Sequence, residues 1–471
     1  MRKTKIVCTI GPASDSEETL REMCCAGMNV ARLNFSHGTH EEHRQRIERI
    51  RKVSKELGLP IAIMLDTKGP EFRIGTFTDG SAELKKDDEF ILTAQNIQGD
   101  ASKVSVNYAG LATELKKGDK VLINNGLVEL EVVSSDGTDI QTRVVEGGVL
   151  TDRKSMAFPG KHIKQEYLSE QDRKDIIFGV ENDVDFIACS FVSVRQDLED
   201  VHELLRSCGK EGTVELIAKI ENQTGVDNIE DICNSCDGIM VARGDMGVEV
   251  PFEKLPVIQK MMITKCRLLG KRVITATEML ESMIHNPRPT RAETSDVANA
   301  VFDGTSAVML SGETAAGQYP VEAVRAMAKI CEETEQNIDY IDRFYQSEFR
   351  IKNEVDAISH AACSVAIDIG AKAIVACTLS GITARMVSRF RSPTEIIGLT
   401  TDEKTWRRLA LSWSVKPELC EVLPSTEVLF YTARKIAIES MKLEKGDRIV
   451  ITGGVTNGQS GNTNLIKIEN I

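Results

Sequence analysis

Eight short runs rich in β-branched residues recur along the 471-residue sequence, and polar residues or glycine close each of them. The runs span residues 5–10, 29–35, 61–66, 185–190, 215–220, 238–242, 272–276 and 307–310. Segments of helical spacing, such as residues 17–26 and 41–57, lie between them. Because alternating helices cover both faces of a sheet, this order predicts a parallel sheet. Eight such units predict a closed (β/α)8 barrel, a TIM barrel of the α/β class.

One interval is too long for a simple barrel, because about 100 residues separate the third run from the fourth. Within it, alternating apolar and polar residues at 103–108, 120–124 and 128–134 predict strands. Turn-forming pairs at 79–80, 125–126, 136–137 and 147–148 punctuate this interval. We predict a small all-β domain over residues 71–167, inserted into a barrel domain made of residues 1–70 and 168–340.

The last part of the chain has its own alternation of strands and helices. After a helical pattern that ends near Glu335, strand-like runs occur at 372–378, 395–401, 416–422, 448–452 and 464–468. We predict a separate C-terminal α/β domain over residues 341–471. Its glycine-rich stretch at 453–461 is typical of a loop.

Composition excludes several classes of protein. The net charge of −13 would repel nucleic acid, and no window of 18 apolar residues is present. The apolar run at 6–10 is too short for an export signal, and twelve scattered cysteines do not form a secreted disulfide framework. We therefore expect a cytoplasmic protein with reduced thiols that binds neither membranes nor nucleic acid. An acidic protein can still bind anionic metabolites where cations gather in one cleft.

Polar side chains that close the barrel strands are the first candidates for a site, because barrel active sites form at the carboxyl ends of the strands. The second run ends with Arg32, Asn34 and Ser36 on one face, whereas Leu33 and Phe35 share the other. One cation and two oxygen-bearing groups therefore converge. An ordinary loop after a strand is the alternative.

The fifth and sixth runs end in groups suited to a metal and a phosphoryl group. Lys219 and Glu221 lie two residues apart and share a face of the strand, and Asp245 stands beyond Gly244. Glu221 and Asp245 provide hard oxygen ligands, and Mg²⁺ takes only one or two protein carboxylates. A buried ion pair between Lys219 and Glu221 is the alternative interpretation.

A proline-rich segment follows the seventh run and contains Arg288 and Arg291. Thr290 and Glu293 have the spacing of a capping box, which explains the segment as the start of a helix. We therefore interpret the two arginines as scaffold or interface residues.

Cysteine and histidine spacings carry little signal for metal binding. Cys233 and Cys236 lack a second pair of ligands, so we predict no zinc site. His37, His40 and His43 border a charged helix, where solvated histidines are commoner than ligands. Only His37, next to the end of the second run, is a functional candidate.

Taken together, seven ordered motifs resemble the pyruvate kinase family over nearly the full chain. The motifs occupy residues 3–12, 32–38, 65–71, 217–222, 238–245, 286–293 and 308–313. The resemblance implies a barrel with a small β-barrel lid inserted after its third strand, a C-terminal effector domain and a homotetramer. It also implies transfer of a phosphoryl group from phosphoenolpyruvate to ADP, which gives pyruvate and ATP in the final step of glycolysis.

The resemblance assigns roles to the residues at the strand ends. Glu221 and Asp245 match the residues that bind the Mg²⁺ bridging the phosphate and carboxylate of phosphoenolpyruvate. Lys219 matches the residue that stabilises the phosphoryl group in transfer, and Arg32 the one that holds that group. The backbone of Gly244 and the hydroxyl of Thr277 would contact the substrate.

The resemblance further implies a potassium site and a nucleotide site. Asn34, Ser36, Asp66 and Thr67 match potassium-binding positions, and Glu71 matches the acidic residue that accompanies potassium dependence. The nucleotide contacts carry over to Asn34, His37, Arg73 and, on the lid, Lys154. A second Mg²⁺ is expected to arrive with the nucleotide.

Three features depart from the family pattern. Thr277 is followed by Glu278 where the family more often has glutamine, and the lid hinge at residues 155–160 reads Ser-Met-Ala-Phe-Pro-Gly instead of Gly-Val-Asn-Leu-Pro-Gly. The chain ends at Ile471, so we expect it to lack the extra C-terminal domain of some bacterial members.

A candidate effector loop lies in the C-terminal domain between a strand and a helical pattern. Thr378, Ser380, Gly381 and Thr383 resemble the family's effector-phosphate loop, in a setting where hydroxyls and helix N–H groups bind phosphate. A plain strand-to-helix turn is the alternative. The activator could be a sugar phosphate, a nucleotide or nothing.

Two other functions remain open from the residues alone. Another metal-dependent enzyme that handles enolates, such as an aldolase or lyase, could use Lys219, Glu221 and Asp245 without ADP. A metabolite-sensing protein with a catalytically inert barrel is the non-enzymatic alternative. The lysine together with two acids favours an enzyme.

Overall fold

The computed structural model describes residues 1–161, 163–422, 424–454 and 463–471. The chain opens with two strand–helix units and the third strand of a barrel. Its elements are β1 (Lys5–Thr9), α1 (Glu17–Ala26), β2 (Val30–Asn34), α2 (His40–Leu57) and β3 (Ala62–Asp66). Side chains cap the helices: Ser16 caps α1, and Thr39 and Glu42 form a capping box at the start of α2.

An all-β insertion follows β3. Its strands are β4 (Phe72–Arg73), β5 (Ser81–Leu84), β6 (Glu89–Thr93), β7 (Lys103–Ser105), β8 (Lys120–Ile123), β9 (Val128–Ser135), β10 (Asp139–Glu146), β11 (Gly148–Thr151) and β12 (Ser155–Ala157), with the one-turn helix α3 (Leu111–Glu114). Seven strands form one mixed sheet in the order β4-β12-β8-β9-β10-β6-β7, and β11 pairs with β5. The insertion has its own apolar core, which includes Phe90, Val121 and Leu130. The predicted small all-β insertion is confirmed.

The barrel then resumes and closes. Its remaining elements are α4 (Glu170–Glu181), β13 (Phe186–Cys189), α5 (Arg195–Ser207), β14 (Glu215–Ile220), α6 (Gln223–Asp227), α7 (Ile229–Asn234), β15 (Gly238–Ala242), α8 (Arg243–Glu249), a 3₁₀ turn (Phe252–Lys254), α9 (Leu255–Leu269), β16 (Arg272–Ala276), a second 3₁₀ turn (Glu281–Ile284), α10 (Arg291–Asp303), β17 (Ala307–Leu310), α11 (Gly312–Ala315) and α12 (Pro320–Gln336).

The eight barrel strands are all parallel and pair in the closed order β1-β17-β16-β15-β14-β13-β3-β2. Side chains such as Val7, Met64, Phe186 and Ile217 fill the interior, while a larger apolar cluster lies between the strands and the helices. The predicted (β/α)8 barrel is confirmed, with strand ends displaced by at most one residue. The capping box of Thr290 and Glu293 is also present.

After α13 (Tyr340–Gln346), the C-terminal domain forms a five-stranded sheet. Its elements are α14 (Glu354–Asp368), β18 (Ala373–Cys377), α15 (Ile382–Arg389), β19 (Glu395–Thr400), α16 (Glu403–Leu409), β20 (Val415–Leu419), α17 (Thr426–Met441), β21 (Arg448–Gly453) and β22 (Leu465–Asn470). The strand order is β20-β19-β18-β21-β22, with only β22 antiparallel. The predicted α/β fold is confirmed, whereas most of the predicted glycine-rich loop lies outside the described residues.

The C-terminal domain packs against the barrel. Leu411, just after α16, joins the interior cluster of the barrel, and the Lys5 ammonium donates to the Val415 carbonyl at 2.7 Å. The Asp183 and Asp185 carboxylates, which precede β13, accept hydrogen bonds from Arg407. Because Asp183 and Asp185 precede β13, the contact lies at the amino ends of the barrel strands. It leaves the carboxyl ends open.

Among the described helices, none is both long and apolar enough to span a membrane.

Candidate active site

Arg32 and Asp66 form the base of a polar cluster at the carboxyl ends of β2 and β3. Arg32 Nε lies 2.6 Å from Asp66 Oδ2, and its Nη1 donates to Thr9 Oγ1 at 2.9 Å. Both side chains are buried. Because acceptors on the strands to either side of β2 bind the same guanidinium, Arg32 is held rigidly at the mouth of the barrel.

Lys219 stands at the centre of this cluster, near the end of β14. Its Nζ lies 3.0 Å from Asp66 Oδ1, 3.1 Å from Glu221 Oε1 and 2.7 Å from Ser190 Oγ. Burial alone would lower the pKa of the Lys219 ammonium, but Asp66 and Glu221 outweigh burial and raise it. The lysine is therefore a fixed positive charge.

The ion pairs with Arg32 and Lys219 also affect the carboxyl group of Asp66, a residue that is 1% exposed. Burial alone would raise the pKa of Asp66, but Arg32 and Lys219 lower it below its usual value. Asp66 is therefore ionised and holds both cations in place.

Glu221, which directly follows β14, has a different environment. It is 2% exposed, and its Oε2 accepts the Phe191 N–H at 2.7 Å. Burial raises the pKa of Glu221, and the nearby Asp245 carboxylate raises it further, whereas Lys219 opposes the shift. A buried carboxylate beside a second one calls for a cation between them.

Asp245 lies on the first turn of α8, and with Glu221 it lines a cavity of ≈ 960 Å³. The cavity extends under the insertion to Glu71, Lys161 and the hinge residues around Phe158. Among the described residues, no group of three or more His, Cys, Asp and Glu side chains could hold a metal. A pair of hard carboxylates is the kind of ligand set that a divalent cation such as Mg²⁺ uses when it keeps positions for water and substrate oxygens.

Gly244 and Thr277 meet across the ends of β15 and β16. The Gly244 N–H donates to Thr277 Oγ1 at 2.9 Å. Thr277 and Glu278 both adopt left-handed backbone conformations, with φ of 68° and 53°. Such conformations are strained for residues other than glycine and persist only when surrounding contacts hold them.

Arg243 supplies those contacts. Its guanidinium donates to the carbonyls of Thr277 at 2.6 Å and Glu278 at 2.9 Å, and it pairs with Asp296 at 2.6 Å. Arg243 therefore positions the loop that carries the Thr277 hydroxyl.

The four candidate potassium ligands lie at adjacent strand ends. Asn34 and Asp66 are register partners on β2 and β3, and Asn34 Oδ1 accepts the Ser36 N–H at 3.1 Å. Thr67 follows Asp66 and is tied to Ser190, whose hydroxyl donates to the Thr67 carbonyl at 2.6 Å. These residues therefore bring oxygen-bearing groups to neighbouring strand ends.

The candidate nucleotide ligands are less closely grouped. Arg73 pairs with Glu71 at 2.7 Å and donates to the Arg153 carbonyl at 2.6 Å. The Lys154 carbonyl accepts from the backbone of the insertion, and the His37 side chain is exposed at the mouth of the barrel. Glu71 thus holds Arg73 at the junction of barrel and insertion.

The expectation of solvated histidines is wrong for His43, which is 1% exposed. Its ring stacks on Phe35 with centroids 3.9 Å apart, and its Nε2 contacts the His37 carbonyl at 2.9 Å. His40 is half-buried and pairs with Asp175 at 2.6 Å. Both rings pack behind the loop that carries His37 because Phe35 and its neighbours offer an aromatic surface.

In the C-terminal domain, the candidate effector loop joins β18 to α15. Thr378 Oγ1 accepts the Gly381 N–H at 2.9 Å, and Gly381 has a φ of 83°. Thr383 is buried, with its Oγ1 2.7 Å from Thr463 Oγ1. Gly381 is required by the left-handed turn, and Ser380 lies beside it on the loop.

Models of two domains match this chain: "Pyruvate kinase, barrel domain" over residues 1–324 and "Pyruvate kinase, alpha/beta domain" over residues 356–469. The chain belongs to the pyruvate kinase family.

Individual pyruvate kinases support this assignment. One from Clostridium perfringens is 47% identical over 475 residues, covering 100% of both chains. One from Geobacillus stearothermophilus is 47% identical over 471 residues, 99% of this chain and 80% of that protein. The solved structure of a pyruvate kinase from Cryptosporidium parvum matches with a TM-score of 0.94 and 38% identity, covering 100% of this chain and 96% of that one. The chain is therefore a kinase, a phosphotransferase.

Two of the departures from the pyruvate kinase pattern, Glu278 and the hinge, lie at the rim of the site. Glu278 is exposed and lines a second cavity of ≈ 1800 Å³ next to Thr277. The hinge residues Ser155 to Phe158 line the cavity that holds Glu221 and Asp245.

Sequence reasoning missed four residues of this pyruvate kinase site: Thr9, Ser190, Phe191 and Arg243. Thr9 and Arg243 stand at strand ends, where their polarity could have identified them. Phe191 could not be found in this way, because it acts through its backbone N–H and a left-handed φ of 56°.

Proposed function

We propose that this kinase transfers the phosphoryl group of phosphoenolpyruvate to ADP, giving pyruvate and ATP, with Mg²⁺ and K⁺ as cofactors. The observation that carries the proposal is the position of Lys219 Nζ, within 3.1 Å of both Asp66 and Glu221 at the barrel mouth. A fixed ammonium beside a carboxylate pair suits an anionic substrate that arrives with a divalent cation.

The side chains of this cluster have distinct tasks in the transfer. Arg32 and Lys219 bind the phosphoryl group and stabilise its charge during in-line transfer, while the Thr277 hydroxyl orients the substrate. Glu221 and Asp245 would hold Mg²⁺, which supplies Lewis-acid stabilisation of the substrate oxygens. Asp66 keeps Arg32 and Lys219 in place. Closure of the insertion would exclude water from the enolate before it is protonated.

Potassium and nucleotide would bind beside this cluster. Asn34, Ser36, Asp66 and Thr67 would hold K⁺ through their oxygens, supported by their adjacent positions on β2 and β3. The nucleotide, with a second Mg²⁺, would contact Asn34, His37, Arg73 and Lys154. Glu71 supports Arg73 through their ion pair.

Regulation and assembly belong to the same proposal. We place the catalytic barrel at residues 1–70 and 168–340, the lid at 71–167 and a regulatory domain at 341–471. Thr378, Ser380, Gly381 and Thr383 would bind the phosphate of a sugar-phosphate or nucleotide effector. The protein would act in the cytoplasm as a homotetramer.

The test is pyruvate formation from phosphoenolpyruvate and ADP with Mg²⁺ and K⁺, each component omitted in turn. Lys219→Met should lower kcat by about 10³-fold or more, because charge on the phosphoryl group loses its nearest cation. Lys174→Met, which removes an exposed lysine from α4, is the matched control and should retain full activity.

Each omission decides a separate part of the proposal. Turnover without ADP would favour a lyase, and full activity with sodium in place of potassium would remove K⁺ from the mechanism. Absence of turnover by the folded parent protein would refute the proposed reaction.

A further inference from the structure

A second charged region lies where the C-terminal domain meets the amino ends of the barrel strands. A cavity of ≈ 260 Å³ opens there between the end of α9, the start of β16 and α15. Six cationic side chains line it: Arg267, Lys271, Arg272, Arg385, Arg389 and Arg391. Neither the catalytic cluster nor the effector loop contributes to this lining.

Carboxylates compensate only part of this charge. Arg272 and Arg385 share Glu215, at 2.5 Å and 3.3 Å, and Arg385 also pairs with Asp237 at 3.0 Å. A third carboxylate, of Asp356, pairs with Arg389 at 2.9 Å. In the described part of the chain, three carboxylates therefore face six cations.

Arg391 is the clearest uncompensated cation. It is 3% exposed, its Nη2 donates to the Gly304 carbonyl and Ser306 Oγ, and its guanidinium lies 4.6 Å from the Trp413 ring. No carboxylate among the described residues forms an ion pair with it. Burial and, to a smaller extent, the nearby Arg267 lower the pKa of Arg391 to about 9. Burying a cation in this way costs free energy, and a negative charge nearby would offset that cost.

Hydrogen-bond donors around the cavity are also incomplete. The Nε atoms of Arg267, Arg385, Arg389 and Arg391 are buried and have no hydrogen-bond partner among the described residues. Arg389 and Arg391 are each more than nine-tenths buried. Buried donors are normally satisfied, and a water molecule could accept these hydrogen bonds but could not neutralise the surplus charge.

We propose that a small inorganic oxyanion, phosphate or sulfate, binds in this cavity and links the barrel to the C-terminal domain. Guanidinium groups match the oxygens of such anions in geometry and charge. The cavity is small and is lined by a few neighbouring side chains, so it suits an inorganic ion better than a nucleotide. The proposal is independent of the proposed reaction.

Trp413 offers a local reporter, because Arg391 stacks on its ring and only one other tryptophan, Trp406, is present. The experiment uses a Trp406→Phe background at constant ionic strength in potassium acetate. Trp413 fluorescence is followed while sulfate, phosphate or chloride replaces acetate. We expect a saturable change with sulfate and phosphate and a much weaker response to chloride.

Two variants test the location of the anion. Arg267→Met removes a guanidinium that lies over the Phe349 ring, and it should weaken binding about tenfold, as expected for one charge-assisted hydrogen bond. Arg391→Met should abolish binding. The control is Arg44→Met, which removes an arginine that stacks on Phe178 on the opposite part of the barrel wall.

Each result decides the proposal. Binding that survives Lys219→Met and Thr383→Ala but weakens in Arg267→Met lies in this cavity and not at the catalytic cluster or effector loop. If Arg391→Met fails to fold, Arg267→Met alone decides. Unchanged affinity in Arg267→Met, an equal response to chloride, or no saturable change in the parent protein would overturn the proposal.

Discussion

Both ends of the barrel bury charged side chains, but carboxylates are in excess at one end and cations at the other. At the carboxyl end, Asp66, Glu221 and Asp245 face two cations, Arg32 and Lys219. At the amino end, the cavity cations outnumber the carboxylates. Strand β14 connects the two regions, since it begins at Glu215 and leads into Glu221.

The comparison shows that the balance of charge among buried side chains indicates which kind of ion binds between them. An ion pair in a protein interior repays its desolvation only when its charges and hydrogen bonds are complete. A surplus of acid therefore favours a bound cation, and a surplus of arginine favours an anion. The carboxylates at the carboxyl end line the larger cavity, which suits a substrate and its metal, whereas the cavity at the amino end is smaller and lies between two domains, which suits a structural ion.

Glu221→Gln tests the carboxyl end and should have the largest effect. Because the amide keeps the shape but removes a ligand for Mg²⁺, activity should fall by about 10²–10³-fold. Without Mg²⁺ the variant should be no less stable than the parent, since one surplus buried carboxylate is gone. Pyruvate formation and thermal unfolding, with and without Mg²⁺, measure both effects.

Glu249→Gln is the matched control, because Glu249 lines the same cavity without contributing to the proposed metal pair. It should lose far less activity and keep stabilisation by Mg²⁺. If Glu221→Gln were still stabilised by Mg²⁺ as strongly as the parent, the proposed role of Glu221 would be wrong.

Arg272→Met tests the amino end. The guanidinium is 4% exposed and pairs with Glu215 at 2.5 Å, so its loss leaves a buried carboxylate with one weaker partner. We expect a loss of about 3–5 kcal/mol in the free energy of unfolding, measured by urea denaturation. Activity of the folded fraction should fall much less than in Glu221→Gln.

The exposed pair of Arg143 and Glu131 provides the contrast. Arg143→Met should leave the free energy of unfolding nearly unchanged, because exposed ion pairs contribute little. Adding Glu215→Gln to Arg272→Met should restore part of the lost stability. A double variant as unstable as the single one would show that Arg272 acts through packing and not through charge.

Much of the fold could be predicted because the barrel strands are buried on both faces and read as continuous apolar runs. The strand ends also identified Arg32, Lys219, Glu221 and Asp245, since a strand places alternate side chains on one face. His43 shows what was overlooked: it shares a face of α2 with Ile47 and Ile50, and that spacing could have indicated burial.

The contacts between distant segments could not be predicted. Arg385 meets Glu215 across 170 positions, and Arg391 meets Ser306 across 85. Residue spacing along the chain carries no information about which arginine faces which carboxylate once two domains dock. The strained loop at Thr277 likewise depends on Arg243, which lies 34 positions away.

Arg243→Met tests whether that loop needs a tether. Without the guanidinium, Thr277 and Glu278 should relax from their left-handed conformations, which cost about 1–3 kcal/mol each. We expect kcat to fall about tenfold with a smaller change in KM, because misplacement affects the transferring group most. Steady-state kinetics measure both constants. Arg243→Lys should restore part of kcat. If both variants lost the same activity and were also unfolded, the role of Arg243 would be merely structural.

The smallest effect concerns His43, a neutral group near the charged carboxyl end. Burial lowers the pKa of His43 below its usual value of 6.5, and nearby Arg46 adds to this, whereas the His37 carbonyl, Asp175 and Glu42 oppose it. The native state therefore excludes a proton that the unfolded chain binds, so stability is complete above pH 6.5 and is lost as the pH falls below it.

His43→Gln should thus flatten the loss of stability below pH 6.5 while costing some stability at neutral pH, where the Phe35 stack is weakened. Urea unfolding of parent and variant across this range measures the difference. His285→Gln, at an exposed histidine, should leave the profile unchanged. If His43→Gln and the parent protein lose stability in parallel as the pH falls, protonation of the carboxylates causes the acid sensitivity of the barrel mouth. His43 would then play no part in it, and the two ends of the barrel would differ only in their charged groups.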